Sequence, residues 1–142
     1  MRATGLFHAT LPAFDLARAE RFYREVFGVQ RHATPSYFPE AVVFLALGNA
    51  MLHLIRYDAG PVRPAPATAA EAGHREAFLA AQAQAHVLPT HLAIAVDDLE
   101  AARAQVTAAG GRIVQGIETR PDGLRSLFFL DPEHNWVELV QH

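Results

Sequence analysis

The chain has 142 residues, the size of one domain, and with 51% apolar and 19% charged residues it has the composition of a packed globular core rather than of a disordered segment. It has no cysteine, which excludes disulfides, iron–sulfur clusters, cysteine zinc sites and a thiol nucleophile. Lys and Arg number 12 against 15 acidic residues, with no basic stripe, so no nucleic-acid partner is expected. The longest clean apolar run, residues 41–47, is far short of the ~18 residues that a membrane span needs, so no membrane partner is expected either. The first residues lack the apolar stretch of a secretory leader, and the expected location is cytoplasmic. The eight histidines are the unusual feature.

In chain order, residues 5–11 (GLFHATL) predict a strand with Leu6, His8 and Thr10 on one face, ended by Pro12. Asp15 is placed to cap a helix over 16–27, since its carboxylate can accept the unpaired N–H groups of the first turn. Leu16, Ala19, Phe22, Tyr23, Val26 and Phe27 share that helix's apolar face, and Gly28 is its stop. Strands follow at 41–47 and 50–57 around the turn pair Gly48-Asn49. Residues 59–67 hold three prolines and read as a loop. Thr68 and Glu71 form a capping box for an Ala-rich helix to residue 85. Residues 90–96 predict a strand. Asp97 or Asp98 then caps a helix over 99–109 with Leu99, Ala102, Val106 and Ala109 inward, stopped by Gly110-Gly111. Strands at 112–116, 125–130 and 136–141 complete the chain, with turns at 121–123 and 131–135.

The chain repeats itself. His8 and Asp15 are seven apart, as are His91 and Asp98; His8 to Gly28 is twenty, as is His91 to Gly111, all at one offset of 83. Near the end of each half, residues 52–55 (LHLI) resemble residues 137–140 (VELV) at an offset of 85. Each half therefore reads strand–helix–strand–strand–strand, with one metal-competent side chain in its first strand and one in its last. A lone histidine in a strand is ordinarily a core or surface residue, and a lone Glu between Val137 and Leu139 is ordinarily the solvent side of an alternating strand. His8, His53, His91 and Glu138 are different as a set, because they fill two pairs of equivalent positions. If the halves pack about a pseudo-two-fold axis, the four converge. Three imidazoles and a carboxylate suit a divalent ion: Zn, Ni, Fe, Mn or Co. Asp15 and Asp98, though acidic, are expected to be helix caps rather than acid–base groups.

Those residues resemble the vicinal-oxygen-chelate superfamily, which includes glyoxalase I, bleomycin-resistance proteins, fosfomycin-resistance enzymes and extradiol dioxygenases. The marks are His8 with Asp15-Leu16 and Phe22-Tyr23…Phe27-Gly28; the strand around His53; His91 with Asp97-Asp98-Leu99; Gly110-Gly111; and Phe128…Asp131-Pro132-Glu133-His134-Asn135-Trp136-Val137-Glu138-Leu139. The resemblance implies an α+β fold of two βαβββ modules, about 4–58 and 88–142, whose curled mixed sheets form a metal-binding cleft. A partly helical insertion, 59–87, would join them and could act as a lid. It further implies a homodimer, a small-molecule substrate with vicinal oxygens, and Glu138 as both metal ligand and proton carrier. Departures are informative. Glyoxalase I has a carboxylate where His53 stands and an Arg near the position of Pro12, so glutathione recognition is not implied. Thr10 matches the fosfomycin enzymes, but the chain lacks their basic C-terminal extension. Extradiol dioxygenases usually have four modules. A lyase or isomerase is the leading expectation; a drug-sequestering binder of the bleomycin-resistance type and a single-domain dioxygenase are the alternatives.

Overall fold

The computed structural model describes residue 2 and residues 5–35, 41–56 and 91–142. The loop over 59–67, the capping-box helix at 68–85 and the body of the insertion 59–87 lie outside the described residues. The elements are β1 (His8–Ala13), α1 (Leu16–Phe27), β2 (Arg31–His32), β3 (Val42–Leu47) and β4 (Ala50–Arg56), then β5 (Leu92–Ala95), α2 (Leu99–Ala108), β6 (Arg112–Thr119), β7 (Arg125–Leu130) and β8 (Trp136–Gln141). They form two four-stranded mixed sheets, ordered β1-β4-β3-β2 and β5-β8-β7-β6. In each, the first strand runs parallel to the last and the other pairings are antiparallel. The architecture is α+β, built of two repeated modules.

Local chemistry explains both helices among the described residues. Asp15 and Asp98 have extended backbones, and their carboxylates accept from Arg18 N and Ala101 N, each at 2.9 Å, so both aspartates are caps. Gly28 takes the left-handed conformation at φ 63°, and its N–H donates to Arg24 O. The inward faces are those that helical spacing predicts: Ala19, Phe22, Tyr23 and Val26 are buried on α1, and Leu99, Ala102 and Val106 on α2.

Among the boundaries that differ from expectation, two have a clear structural setting. Pro12 does not end β1, which runs on to Ala13. Among the described residues β1 is an edge strand, where a residue without an N–H is tolerated. β6 extends to Thr119, three residues beyond the expected 116, through two register shifts that interrupt its pairing with β7.

One core serves both modules. Val43, Leu45, Leu52 and Leu54 of the first sheet and Leu127, Phe129, Val137 and Leu139 of the second belong to a single cluster with the two helices. Phe22 of α1 lies 5.9 Å, centroid to centroid, from Phe129 of β7. Gly111 is required here for space. A Cβ on it would stand 2.6 Å from Val106 Cγ1 and 3.2 Å from Phe22 Cε2. Gly111→Ala should lower stability by about 1–3 kcal/mol by forcing the helices apart. An unchanged urea midpoint would show that this contact relaxes freely.

The turn over residues 131–135 locks the modules together. Asp131 is 3% exposed. Its Oδ1 accepts from the N–H groups of Glu133 (2.9 Å) and Asn135 (2.8 Å). Its Oδ2 accepts from Tyr23 Oη–H (2.8 Å) and Asn135 Nδ2 (2.9 Å). Asn135 Nδ2 also donates to Pro12 O at 2.9 Å. The buried Glu133 carboxylate accepts from Phe14 N (2.7 Å), Asp15 N (3.2 Å) and Arg18 Nε (2.6 Å) at the start of α1. Burial pushes the Glu133 pKa up. The Arg18 guanidinium and the two N–H groups outweigh that and hold it below the usual carboxylate range. Burial, then the Asp131 carboxylate, raise the Tyr23 phenol well above its ordinary value.

Candidate functional site

The repeat survives in three dimensions as identical register. Thr10 pairs with His53 across β1 and β4, and Ala93 pairs with Glu138 across β5 and β8. His8 lies two residues before Thr10, and His91 two before Ala93. Side chains two apart on a strand share a face. His8 and His53 therefore share one face of the first sheet, and His91 and Glu138 the equivalent face of the second. These faces are opposite to the shared core, because residues alternate along β4 and β8: Leu52, Leu54, Val137 and Leu139 point inward and His53 and Glu138 do not.

Both pairs form direct contacts. The imidazoles of His8 and His53 stack with centroids 4.1 Å apart and planes 17° apart. The edge of Phe44, cross-strand from His53, closes the other side at 4.1 Å. His8 is exposed, whereas His53 is 7% exposed and its Nε2 has no hydrogen-bond partner. Burial, and then the neighbouring His8, push the His53 pKa below the ordinary histidine value, so its ring is neutral and its nitrogen lone pair available near neutral pH. In the second module His91 Nε2 lies 3.2 Å from Glu138 Oε2, and Phe128, cross-strand from Glu138, meets the His91 ring edge-on at 5.2 Å. Phe44 and Phe128 are thus equivalent props, at an offset of 84 that fits the repeat.

Within one chain the pairs remain separate. Among the described residues no set of three or more His, Asp or Glu is placed to hold a metal ion. Convergence of all four in a single chain, expected from the repeat, does not occur. The reason is the common core: both inner sheet faces pack onto it, so the faces that carry the two pairs are turned outward from it. Among the described residues, no strand pairs with the outer edges of β1 and β5, and the two sheets are not joined.

Arg120 is the residue that sequence reasoning missed. Its guanidinium Nη2 forms a close ion pair with Glu138 Oε1 and lies 3.5 Å from Ser126 Oγ. It follows β6, where an arginine reads as ordinary surface charge. His32 and His134 are placed elsewhere: His32 is exposed in β2, and His134 sits at φ 66° in the 131–135 turn. His74 and His86 lie outside the described residues.

Residues 5–139 match the model of the Glyoxalase/Bleomycin resistance protein/Dioxygenase superfamily. The chain belongs to this superfamily. No curated protein matches it. Solved structures with the same fold include TioX from Micromonospora sp. ML1, at 22% identity over 98% of this chain and 99% of that one, TM-score 0.67. Lactoylglutathione lyase from Agrobacterium tumefaciens is 22% identical, over 99% and 95%, with a TM-score of 0.66. The fosfomycin resistance protein FosX from Mesorhizobium loti is 17% identical, over 99% and 94%, with a TM-score of 0.64. At such identities the likeness establishes the glyoxalase fold of this superfamily member and leaves its chemistry to its own residues. No helix among the described residues is long and apolar enough to cross a membrane.

Proposed function

We propose that the protein is a divalent-metal-dependent enzyme of the glyoxalase/dioxygenase type, acting on a small substrate with vicinal oxygens by lyase or isomerase chemistry. The observation that carries this reading is the buried, unpartnered Nε2 of His53. A buried polar atom without a partner costs about 1–3 kcal/mol, and a fold retains it where a ligand satisfies it. The donor set fits a divalent ion, with His8 and His53 as one half and His91 and Glu138 as the other. The halves meet when two copies of the chain associate as a homodimer through their open β1 and β5 edges. Leu6 and Phe7, 67% and 77% exposed beside β1, are apolar surface that such an interface would cover.

A bound ion supplies Lewis-acid polarisation of a substrate oxygen and stabilises the charge that develops there. The chain's own residues do the rest. Phe44 and Phe128 fix the rings of His53 and His91. His53 stays neutral and therefore able to donate its lone pair. Glu138 holds one carboxylate oxygen toward His91 and carries a proton to and from the substrate.

The test is elemental analysis of protein purified without a tag, followed by assay of metal-loaded protein. About one ion per chain is expected, lost in Glu138→Gln together with at least about tenfold of the turnover of whichever substrate is active. Hemithioacetal turnover would indicate the glyoxalase branch, and oxygen uptake with catechols the dioxygenase branch. Absence of metal, with no thermal shift from added Fe²⁺, Ni²⁺, Mn²⁺, Co²⁺ or Zn²⁺, would overturn the proposal. A second reading is a non-catalytic drug-binding protein of the bleomycin-resistance type. The Arg120–Glu138 ion pair favours it, because it neutralises the buried carboxylate without any metal. Tight binding of an unaltered drug by metal-free protein would support that reading. A cytoplasmic location is part of the same proposal.

A further inference from the structure

We propose that Arg120 sets the specificity of this site for anionic substrates: it holds Glu138 until a divalent ion takes the carboxylate, and the released guanidinium then binds an acidic group of the substrate. The inference rests on the metal reading given above. The Glu138 side chain is 7% exposed, and a carboxylate so buried requires a cation. Arg120 supplies it from a side chain 42% exposed, so one end of the pair is buried and the other reaches solvent. Both carboxylate oxygens are engaged, Oε1 by Arg120 and Oε2 by His91 at 3.2 Å. An incoming cation must therefore compete with the guanidinium for Oε1.

The backbone limits where the arginine can go. Arg120 N donates to Leu124 O at 2.8 Å, and Arg120 O accepts from Gly123 N at 2.9 Å, so a tight turn pins its Cα at the end of the β6–β7 hairpin. Only the side chain is free to swing, and the swing leaves it beside the site. With the ion on Glu138 and the guanidinium still close, the site has an excess of positive charge. That excess, with the planar donor fork of arginine, matches a carboxylate or phosphate and not a neutral diol. The substrate class is thus narrowed to vicinal-oxygen compounds carrying an acidic group, of which glycolate is the smallest model and ethylene glycol the uncharged counterpart.

The experiment compares wild type with Arg120→Gln and Arg120→Lys, with Mn²⁺ as the metal. Free Mn²⁺ is counted by electron paramagnetic resonance. Glycolate and ethylene glycol are titrated into the Mn²⁺-loaded proteins and followed by water-proton relaxation. Arg120→Gln should bind Mn²⁺ about tenfold more tightly and glycolate about tenfold more weakly, with ethylene glycol unaffected. Arg120→Lys, which keeps the charge and loses the fork, should fall between. Equal Mn²⁺ affinity in wild type and Arg120→Gln, or unchanged glycolate affinity, overturns this role for Arg120 while leaving the metal site standing. Failure of both proteins to bind Mn²⁺ overturns the metal reading and this one with it.

Discussion

Mixing His8→Ala protein with His91→Ala protein, under conditions that let subunits exchange, should restore metal binding that neither variant has alone. Each variant removes one ligand from each composite site, so each homodimer is defective twice. In a mixed dimer the two substitutions fall into the same site, and the other site is assembled from wild-type His8 and His53 of one chain and wild-type His91 and Glu138 of the other. Random exchange then recovers about a quarter of the wild-type metal. A site contained in one chain gives none, because every chain in the mixture is defective. The structure motivates the experiment directly. Its His8–His53 stack and His91–Glu138 contact are separate pairs on faces turned away from the common core. Metal content by elemental analysis before and after mixing is the measurement, and no recovery after confirmed subunit exchange would sink the composite site.

Asp131→Ala should cost about 3–5 kcal/mol of stability, the largest loss expected from any single truncation here. The carboxylate accepts four hydrogen bonds from buried or half-buried donors, and each donor left unmet costs about 1–3 kcal/mol. Tyr23, 0% exposed, has no solvent to turn to. Removing its hydroxyl by Tyr23→Phe in the Asp131→Ala background should recover part of the loss, since the orphaned group is then gone, with a coupling of about 1–3 kcal/mol. Urea unfolding of the two single variants and the double variant checks both numbers. A loss below about 1 kcal/mol for Asp131→Ala would show that water substitutes for the carboxylate and that the turn does not hold the halves together.

The helices were legible because several signals agreed: apolar spacing, an aspartate cap at each start, glycine after each end. The pairing of His8 with His53 and of His91 with Glu138 was legible for a related reason, since an internal repeat turns four unremarkable residues into two matched positions. What escaped lacks local periodicity. β2 is two exposed residues, Arg31 and His32, with no alternation to read. Pro12 looked like a strand end because a proline breaks a central ladder, and the sequence alone does not show that β1 is an edge. Arg120 and Asp131 both act on partners in other elements. Their residue types were visible, and the register that sets Arg120 beside Glu138, or Asp131 beside Tyr23, was not. The expectation that all four side chains meet within one chain failed on packing: the repeat indicates two equal halves but not which faces they share.

The hydrogen bonds between the 131–135 turn and the first module span 108 to 123 residues of sequence. On the ribosome, therefore, the residues of α1 are made long before the carboxylates of Asp131 and Glu133 exist. Until the 131–135 turn emerges, the Tyr23 hydroxyl and the N–H groups of Phe14 and Asp15 lack the acceptors that the finished protein gives them. The first half must wait in a loosened form, and docking of the two halves becomes a late step, completed only after nearly the whole chain has been made.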